Sequence, residues 1–241
     1  MKTLLLLMTS LLIPPAFKEQ QLKYARVRTA YDEKEAVVKK YFSDKKIAFA
    51  GFQLFIRALK QEAVVEVWVK ERRHNTFALL HTYPFCATSG TPGPKRREGD
   101  GQIPEGVYHI EHFNPNSNFY LSLGINYPNA SDKILGDKQK PGSDIYIHGN
   151  CVTVGCIPLT DDKIKELYVL AVEARQGGQE NIPVHIFPSK LTADALISLK
   201  QNFREASTIS FWENLKPIYD DFEKTKKLRT PHVTASGAYV F

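Results

Sequence analysis

The apolar residues of this chain change period once, near position 160, and that change limits the folds open to it. Before it, from about Gly51, apolar residues come in short runs broken by turn residues. Phe52–Leu59 is one such run, and in 64–70 Val65, Val67 and Val69 alternate with Glu66, Trp68 and Lys70, the period-two pattern of a strand. Residues 77–85, 107–113, 119–125 and 144–148 continue the series. The connectors 60–62 and 73–75 are too short for a parallel crossover, so these neighbours are expected to pair antiparallel. Beyond position 160 the spacing becomes helical: Ile164, Leu167, Tyr168, Ala171 and Val172 share one face. Thr160 is the expected N-cap, Asp161 and Asp162 suit the first turn, and Gly177 and Gly178 end the helix. A further strand is expected at 184–187 and a helix at 192–203, followed by an apolar face of Phe211, Trp212, Leu215, Ile218, Tyr219 and Phe222. Pro217 should kink that last helix or start a new one, and the tail after Thr230 should be loose. At the other end, 30–42 reads as a helix burying Tyr31, Val38 and Phe42. These patterns predict a β-rich α+β protein: a sandwich or barrel of mixed short strands with flanking helices at both termini.

The N-terminus bears on the compartment. Lys2 precedes an almost wholly apolar stretch at 4–12, which Pro14, Pro15 and Ala16 break. This is the layout of a secretory signal over 1–16, with an uncleaved anchor as the alternative. The apolar stretch is too short for an ordinary spanning helix, so no transmembrane span is expected after cleavage. The expected divisions are then a helical extension at 17–45, the main domain at 46–190, and C-terminal helices and tail at 191–241. The formal net charge of +6 suits an anionic partner, but the basic residues are scattered in short runs of solvated surface. No nucleic-acid partner is expected.

The chemistry concentrates in 145–158. His148 ends an apolar strand, Gly149-Asn150 makes a turn, and Cys156 follows Gly155 eight positions after the histidine. A thiol needs a nearby base to attack near neutral pH, and a neighbouring glycine lets backbone N–H groups approach a developing oxyanion. The expected roles are Cys156 as nucleophile and His148 as proton acceptor and donor. The Gly149 carbonyl would orient the imidazole, and the N–H groups of Gly155 and Cys156 would meet the oxyanion. Candidate substrate contacts are Lys95, Asp100 and Gln102 in the Gly- and Pro-rich loop 89–106, with Tyr146, Asn150 and Thr153 around the pair. Three cysteines in an exported chain leave at least one thiol unpaired. Cys86 is expected to be a small buried residue. Other readings remain open: zinc on His148, Cys151 and Cys156, which lacks a fourth ligand; a Cys151–Cys156 disulfide that would silence the nucleophile; or plain packing. No metal and no cofactor are expected.

Several stretches resemble the L,D-transpeptidase (YkuD-type) catalytic domain of bacterial cell-wall enzymes, and within it the branch called YafK-like. They include Tyr83-Pro-Phe-Cys-Ala-Thr-Ser-Gly90, Glu98-Gly-Asp-Gly-Gln-Ile-Pro-Glu-Gly-Val-Tyr108, Ile147-His-Gly149 and Thr153-Val-Gly-Cys-Ile-Pro158. The resemblance covers most of the chain after the signal. It implies a β-rich fold, a cysteine nucleophile with a histidine base, and the peptide stems of peptidoglycan as substrate. It also implies a periplasmic or cell-envelope location, and a wall-linked protein is a further candidate partner. Two positions depart from the commoner family pattern, Ser/Thr-His-Gly-Cys followed two residues on by Arg or Asn: Val154 replaces the histidine and Pro158 the arginine. Transfer of the acyl group to an amine, hydrolysis by water, and a non-catalytic wall-binding role all remain open.

Overall fold

A computed structural model describes residues 16–241. Apart from Ala16, the expected export signal lies outside the described residues. Helices α1 (Phe17–Gln21) and α2 (Ala25–Asp44) precede strands β1 (Phe52–Leu59), β2 (Val64–Glu71) and β3 (Ala78–Pro84). A long loop leads to β4 (Gly106–Asn114), β5 (Ser122–Ile125), helix α3 (Ala130–Leu135), β6 (Tyr146–His148) and β7 (Ile157–Pro158). The chain continues with α4 (Asp161–Gln176), β8 (Pro183–Phe187), α5 (Ala193–Asn202) and α6 (Ala206–Thr225), then the short strands β9 (His232–Val233) and β10 (Tyr239–Val240). The protein is thus α+β, built on one large sheet with helices at both ends.

One eight-stranded sheet runs in the order β3-β2-β1-β8-β4-β5-β6-β7. The meander β1-β2-β3 is antiparallel, as its short connectors predict. Alternation along β1 shows why this sheet is covered on both faces. Leu54, Ile56 and Ala58 join the core beneath α2 and α4, whereas Phe55 and Leu59 join the side beneath α6. Helix α4 is the central element of the first core, with Ile164, Leu167, Tyr168, Ala171 and Val172 fully buried. Thr160 caps it through a hydrogen bond from the Lys163 N–H at 3.3 Å.

Two buried polar clusters hold α6 to the sheet. Arg57 on β1 pairs with Glu66 and with Glu223 of α6, each at 2.6 Å, and its guanidinium lies over the Trp68, Tyr219 and Phe222 rings. Lys60 donates to Glu105 at 2.9 Å, and Glu105 accepts from the Trp212 indole N–H at 2.7 Å. Each buried charge is thereby satisfied, and removing Arg57 or Lys60 would leave Glu66 or Glu105 buried without its cation.

The structure corrects four expectations. Helix α2 starts at Ala25, five residues before the apolar periodicity suggests. Between the strands expected at 119–125 and 144–148, where no helix is expected, lies α3, which starts with a reciprocal capping box between Asn129 and Asp132. No new helix starts at Pro217: α6 continues through it, and the exposed position lets water meet the carbonyl that loses its N–H partner. The tail is tied down by Tyr239, which is 5% exposed. Its hydroxyl accepts from Asn129 Nδ2 at 2.8 Å, and its backbone N–H and C=O both bond the Asn214 side chain at 2.8 Å. No helix among the described residues is long and apolar enough to cross a membrane.

Candidate active site

Strand pairing brings the segments that carry His148 and Cys156 side by side. β6 lies beside β7 in parallel, with Ile147 opposite Ile157 and His148 opposite Pro158. Cys156 lies one residue before β7, and the Tyr146 N–H of β6 reaches its sulfur, so the nucleophile segment runs alongside the strand that ends at His148.

His148 is 1% exposed. Its Nδ1 lies 2.5 Å from the Gly149 carbonyl oxygen. A carbonyl only accepts, so Nδ1 carries the proton and Nε2 keeps a free lone pair, the tautomer a general base needs. Burial holds the imidazole below its usual pKa, and the Gly149 carbonyl opposes that shift. The Phe119 ring covers the imidazole at 4.6 Å between centroids. Residue 149 must be glycine for reasons of space: an added β-carbon would sit 2.6 Å from Asp161 Oδ1 and 2.9 Å from the Phe119 carbonyl. Asp161 also accepts the Asn150 N–H at 2.8 Å, which pins the turn, and Asn150 takes the left-handed conformation there at φ 64°. Asn150 is therefore a turn residue held by its backbone.

Cys156 is the free cysteine and is half-buried. Burial pushes its thiol above the ordinary range; the Tyr146 N–H pulls it back, Asp144 raises it and Lys95 lowers it. The Tyr146 N–H donates to Sγ at 3.4 Å and the thiol faces the Asp144 carbonyl at 3.7 Å. Both shifts favour a neutral thiol and a neutral imidazole at rest. Alkylation of Cys156 by iodoacetamide is accordingly expected to climb through pH 8 to 10 with no plateau below about pH 7. The acid limb of any His148-dependent turnover should fall below about pH 6.5, because a depressed imidazole stays neutral further into acid. An alkylation half-point below neutral pH would contradict this resting state.

The oxyanion expectation needs correction. The Gly155 N–H donates to Ser89 Oγ at 2.8 Å, and the Cys156 N–H donates to Thr153 Oγ1 at 2.9 Å. Both N–H groups are engaged, so an oxyanion must displace these hydroxyls to use them. Thr153 also donates to the Cys156 carbonyl at 2.8 Å, closing on the nucleophile's own backbone. Gly155 has φ +97°, and a β-carbon there would lie 3.0 Å from the Gln102 carbonyl, so the loop 89–106 passes directly behind the nucleophile.

That loop satisfies most of its own polar groups, which revises the substrate-contact expectation for Lys95 and Asp100. Lys95 is 6% exposed and donates to Asp100 at 2.7 Å and to the Arg97 carbonyl at 2.8 Å. Asp100 also accepts the N–H groups of Arg96, Arg97 and Gln102. A loop without regular structure must find partners for its backbone, and here one carboxylate supplies three. The Gln102 amide bonds Thr91 through the Thr91 N–H at 3.0 Å and its hydroxyl at 3.2 Å. Tyr146, Thr153 and Gln102 flank the nucleophile segment, while Lys95, Asp100 and Asn150 shape the surrounding loops.

A disulfide joins Cys86 to Cys151 across 65 positions, with Cα atoms 5.3 Å apart. This overturns the reading of Cys86 as merely a small buried residue, and it leaves Cys156 without Cys151 as a partner. It also removes the zinc reading, because a disulfide sulfur offers no thiolate; no metal-holding group of three or more His, Cys, Asp or Glu occurs among the described residues. The bridge anchors the loop between base and nucleophile to the segment after β3, where the Cys86 N–H also bonds the Pro158 carbonyl at 3.1 Å.

Residues 59–186, more than half of the chain, match the L,D-transpeptidase catalytic domain family, also called YkuD. The chain belongs to the L,D-transpeptidase family. It is 36% identical over 193 residues to the Escherichia coli K12 protein described as "Putative L,D-transpeptidase YafK", covering 79% of this chain and 74% of that one. Among solved structures it is similar to the helical cell shape determining protein Pgp2 of Campylobacter jejuni (18% identity, 76% of this chain and 73% of that chain, TM-score 0.46). It is also similar to Bd1075 of Bdellovibrio bacteriovorus (22% identity, 71% of this chain and 60% of that chain, TM-score 0.40). Members of this family act on peptidoglycan. In this chain Val154, two residues before Cys156, is 79% exposed, and Val152 is also exposed. Ser89, Phe119 and Asp161 escaped the sequence reading. Ser89 carries a weak signal as the first residue of the Gly- and Pro-rich loop, and Asp161 was read only as a helix-start charge.

Proposed function

We propose that the chain is an exported, peptidoglycan-directed cysteine acyltransferase of the bacterial periplasm or cell envelope, acting on stem peptides through a Cys156 thioester. His148 Nε2 takes the thiol proton as Sγ attacks the carbonyl carbon of the stem. The tetrahedral intermediate then expels its amine, which leaves with the proton held by the imidazole. An acceptor amine, deprotonated by His148, attacks the thioester and releases the thiol. The observation that carries this reading is His148 with Nδ1 held by the Gly149 carbonyl, on the strand paired with the one that the free Cys156 precedes. The Ser89 hydroxyl, already bonded to the Gly155 N–H, is a candidate donor to the oxyanion through its own proton.

Hydrolysis on the same scaffold is the second reading, cutting a stem or a link between a wall protein and peptidoglycan. Val154 favours it, because an apolar, exposed side chain beside the nucleophile offers no grip for an acceptor amine. The test is to incubate the protein and its Cys156→Ala variant with muropeptides and to analyse the products by mass spectrometry. Products heavier than the donor stem support transfer, and lighter ones support hydrolysis. Identical product profiles from the two proteins would reject both readings and leave a wall-binding role.

A further inference from the structure

A cavity of about 780 Å³ lies between the loop 89–106 and the C-terminal helices. Its walls include Gln102 and Arg96 of the loop, Leu135 of α3, and Arg204, Glu205 and Phe211 around the start of α6. Ser236 and Ala238 of the terminal hairpin close one side. The region matching the family ends at residue 186, so α6 and the hairpin add walls that the family domain does not supply.

The lining carries both signs of charge on an apolar frame. Arg204 is exposed at the mouth, and its guanidinium forms no ion pair or hydrogen bond with any described residue. Arg96 lies flat over the Phe211 ring at 4.6 Å and reaches Asp132 only at 3.5 Å. Glu205 supplies a carboxylate that accepts from the Ser207 and Thr208 hydroxyls at 2.8 and 3.0 Å. An unpaired arginine presents a planar fork suited to a carboxylate, whereas a site carrying its own carboxylate disfavours a simple polyanion. Such a volume, lined by hydroxyl, amide and charged groups around Leu135, Phe203 and Phe211, suits a polar ligand of a few residues. The cavity is also one loop away from the nucleophile: Thr91 and Gln102 line it, while Ser89 and the Gln102 carbonyl touch Gly155 on the other side.

We infer that this cavity is a second peptide subsite, in which Arg204 takes a carboxylate of a peptidoglycan stem whose reacting end or acceptor partner lies at Cys156. The assignment of a stem rests on the function proposed above. Binding is therefore read apart from chemistry, in the Cys156→Ala background by isothermal titration calorimetry. The probes are the tetrapeptide stem L-Ala-D-Glu-diaminopimelate-D-Ala, the same peptide with all its carboxylates amidated, and inorganic phosphate. Loss of one charge-assisted contact should weaken the free stem about tenfold in Arg204→Ala. The amidated peptide should bind the parent weakly and show no dependence on Arg204. Ser210→Glu, which adds a negative charge to the same wall on an exposed helix position, should weaken the free stem as well. Unchanged stem affinity in Arg204→Ala or Ser210→Glu would overturn the inference. So would phosphate binding as tightly as the stem, which would mark a general anion site. Arg204-dependent stem binding without any Cys156-dependent product would keep the subsite and reject only the proposed chemistry. Normal product formation with Arg204-independent binding would do the reverse.

Discussion

His148→Ala is expected to lower kcat for stem turnover by about 10²–10⁴-fold, the usual contribution of a positioned general base, with KM little changed. The expectation follows from the resting state of the pair. Burial raises the Cys156 thiol and lowers the His148 imidazole, so at neutral pH the thiolate is scarce without transfer of its proton to Nε2. His148 is buried beneath Phe119 and is anchored by the Gly149 carbonyl, not by a substrate group, so its loss should touch the chemical step before binding. Steady-state kinetics with a defined stem peptide, with circular dichroism to confirm folding, provides the check. A kcat within a few-fold of the parent would remove His148 from the mechanism.

The second large effect concerns the bridge between Cys86 and Cys151. Replacing both with serine should lower the unfolding free energy by about 4 kcal/mol, the loop-closure value for a link of this length. The loss should appear as a lower urea midpoint with an altered slope, because the unfolded chain is freed from its cross-link. Activity should fall as well, since the bridge holds the loop whose ends carry His148 and Cys156. Reduction by dithiothreitol should reproduce both changes in the parent and neither in the double-serine variant. An unchanged midpoint would show that the remaining contacts already fix this loop.

Local pattern carried much of this structure and long-range pairing carried the rest. Strand β1 was legible to the residue because turn residues bound it on both sides, and α4 was legible from its Thr160 cap and helical spacing. His148 and Cys156 stood out because a strand end, a Gly-Asn turn and a Gly-Cys step lie within one short run. The role of the Gly149 carbonyl was open to sequence reasoning because it is the peptide next to the imidazole. The partner of Cys86 was not legible: nothing local distinguishes a cysteine that pairs 65 positions away from one that merely packs. Ser89 was missed for the same reason, since its acceptor role depends on how the loop folds back on Gly155. Lys95 and Asp100 misled because a long polar loop looks open to solvent in sequence, whereas its backbone donors draw the carboxylate inward. The tail looked loose because it is short and rich in small residues, yet the buried Tyr239 outweighs them.

A covalent acyl-enzyme on Cys156 is open to direct detection by intact-protein mass spectrometry. The protein is mixed with the tetrapeptide stem, quenched in acid within seconds, and compared with its Cys156→Ala variant. The expected result is a mass increase equal to the stem less its terminal D-Ala, mapped to Cys156 by peptide analysis and removed by hydroxylamine. Stem products formed at an equal rate by Cys156→Ala, or an adduct mapped to any other residue, would contradict it.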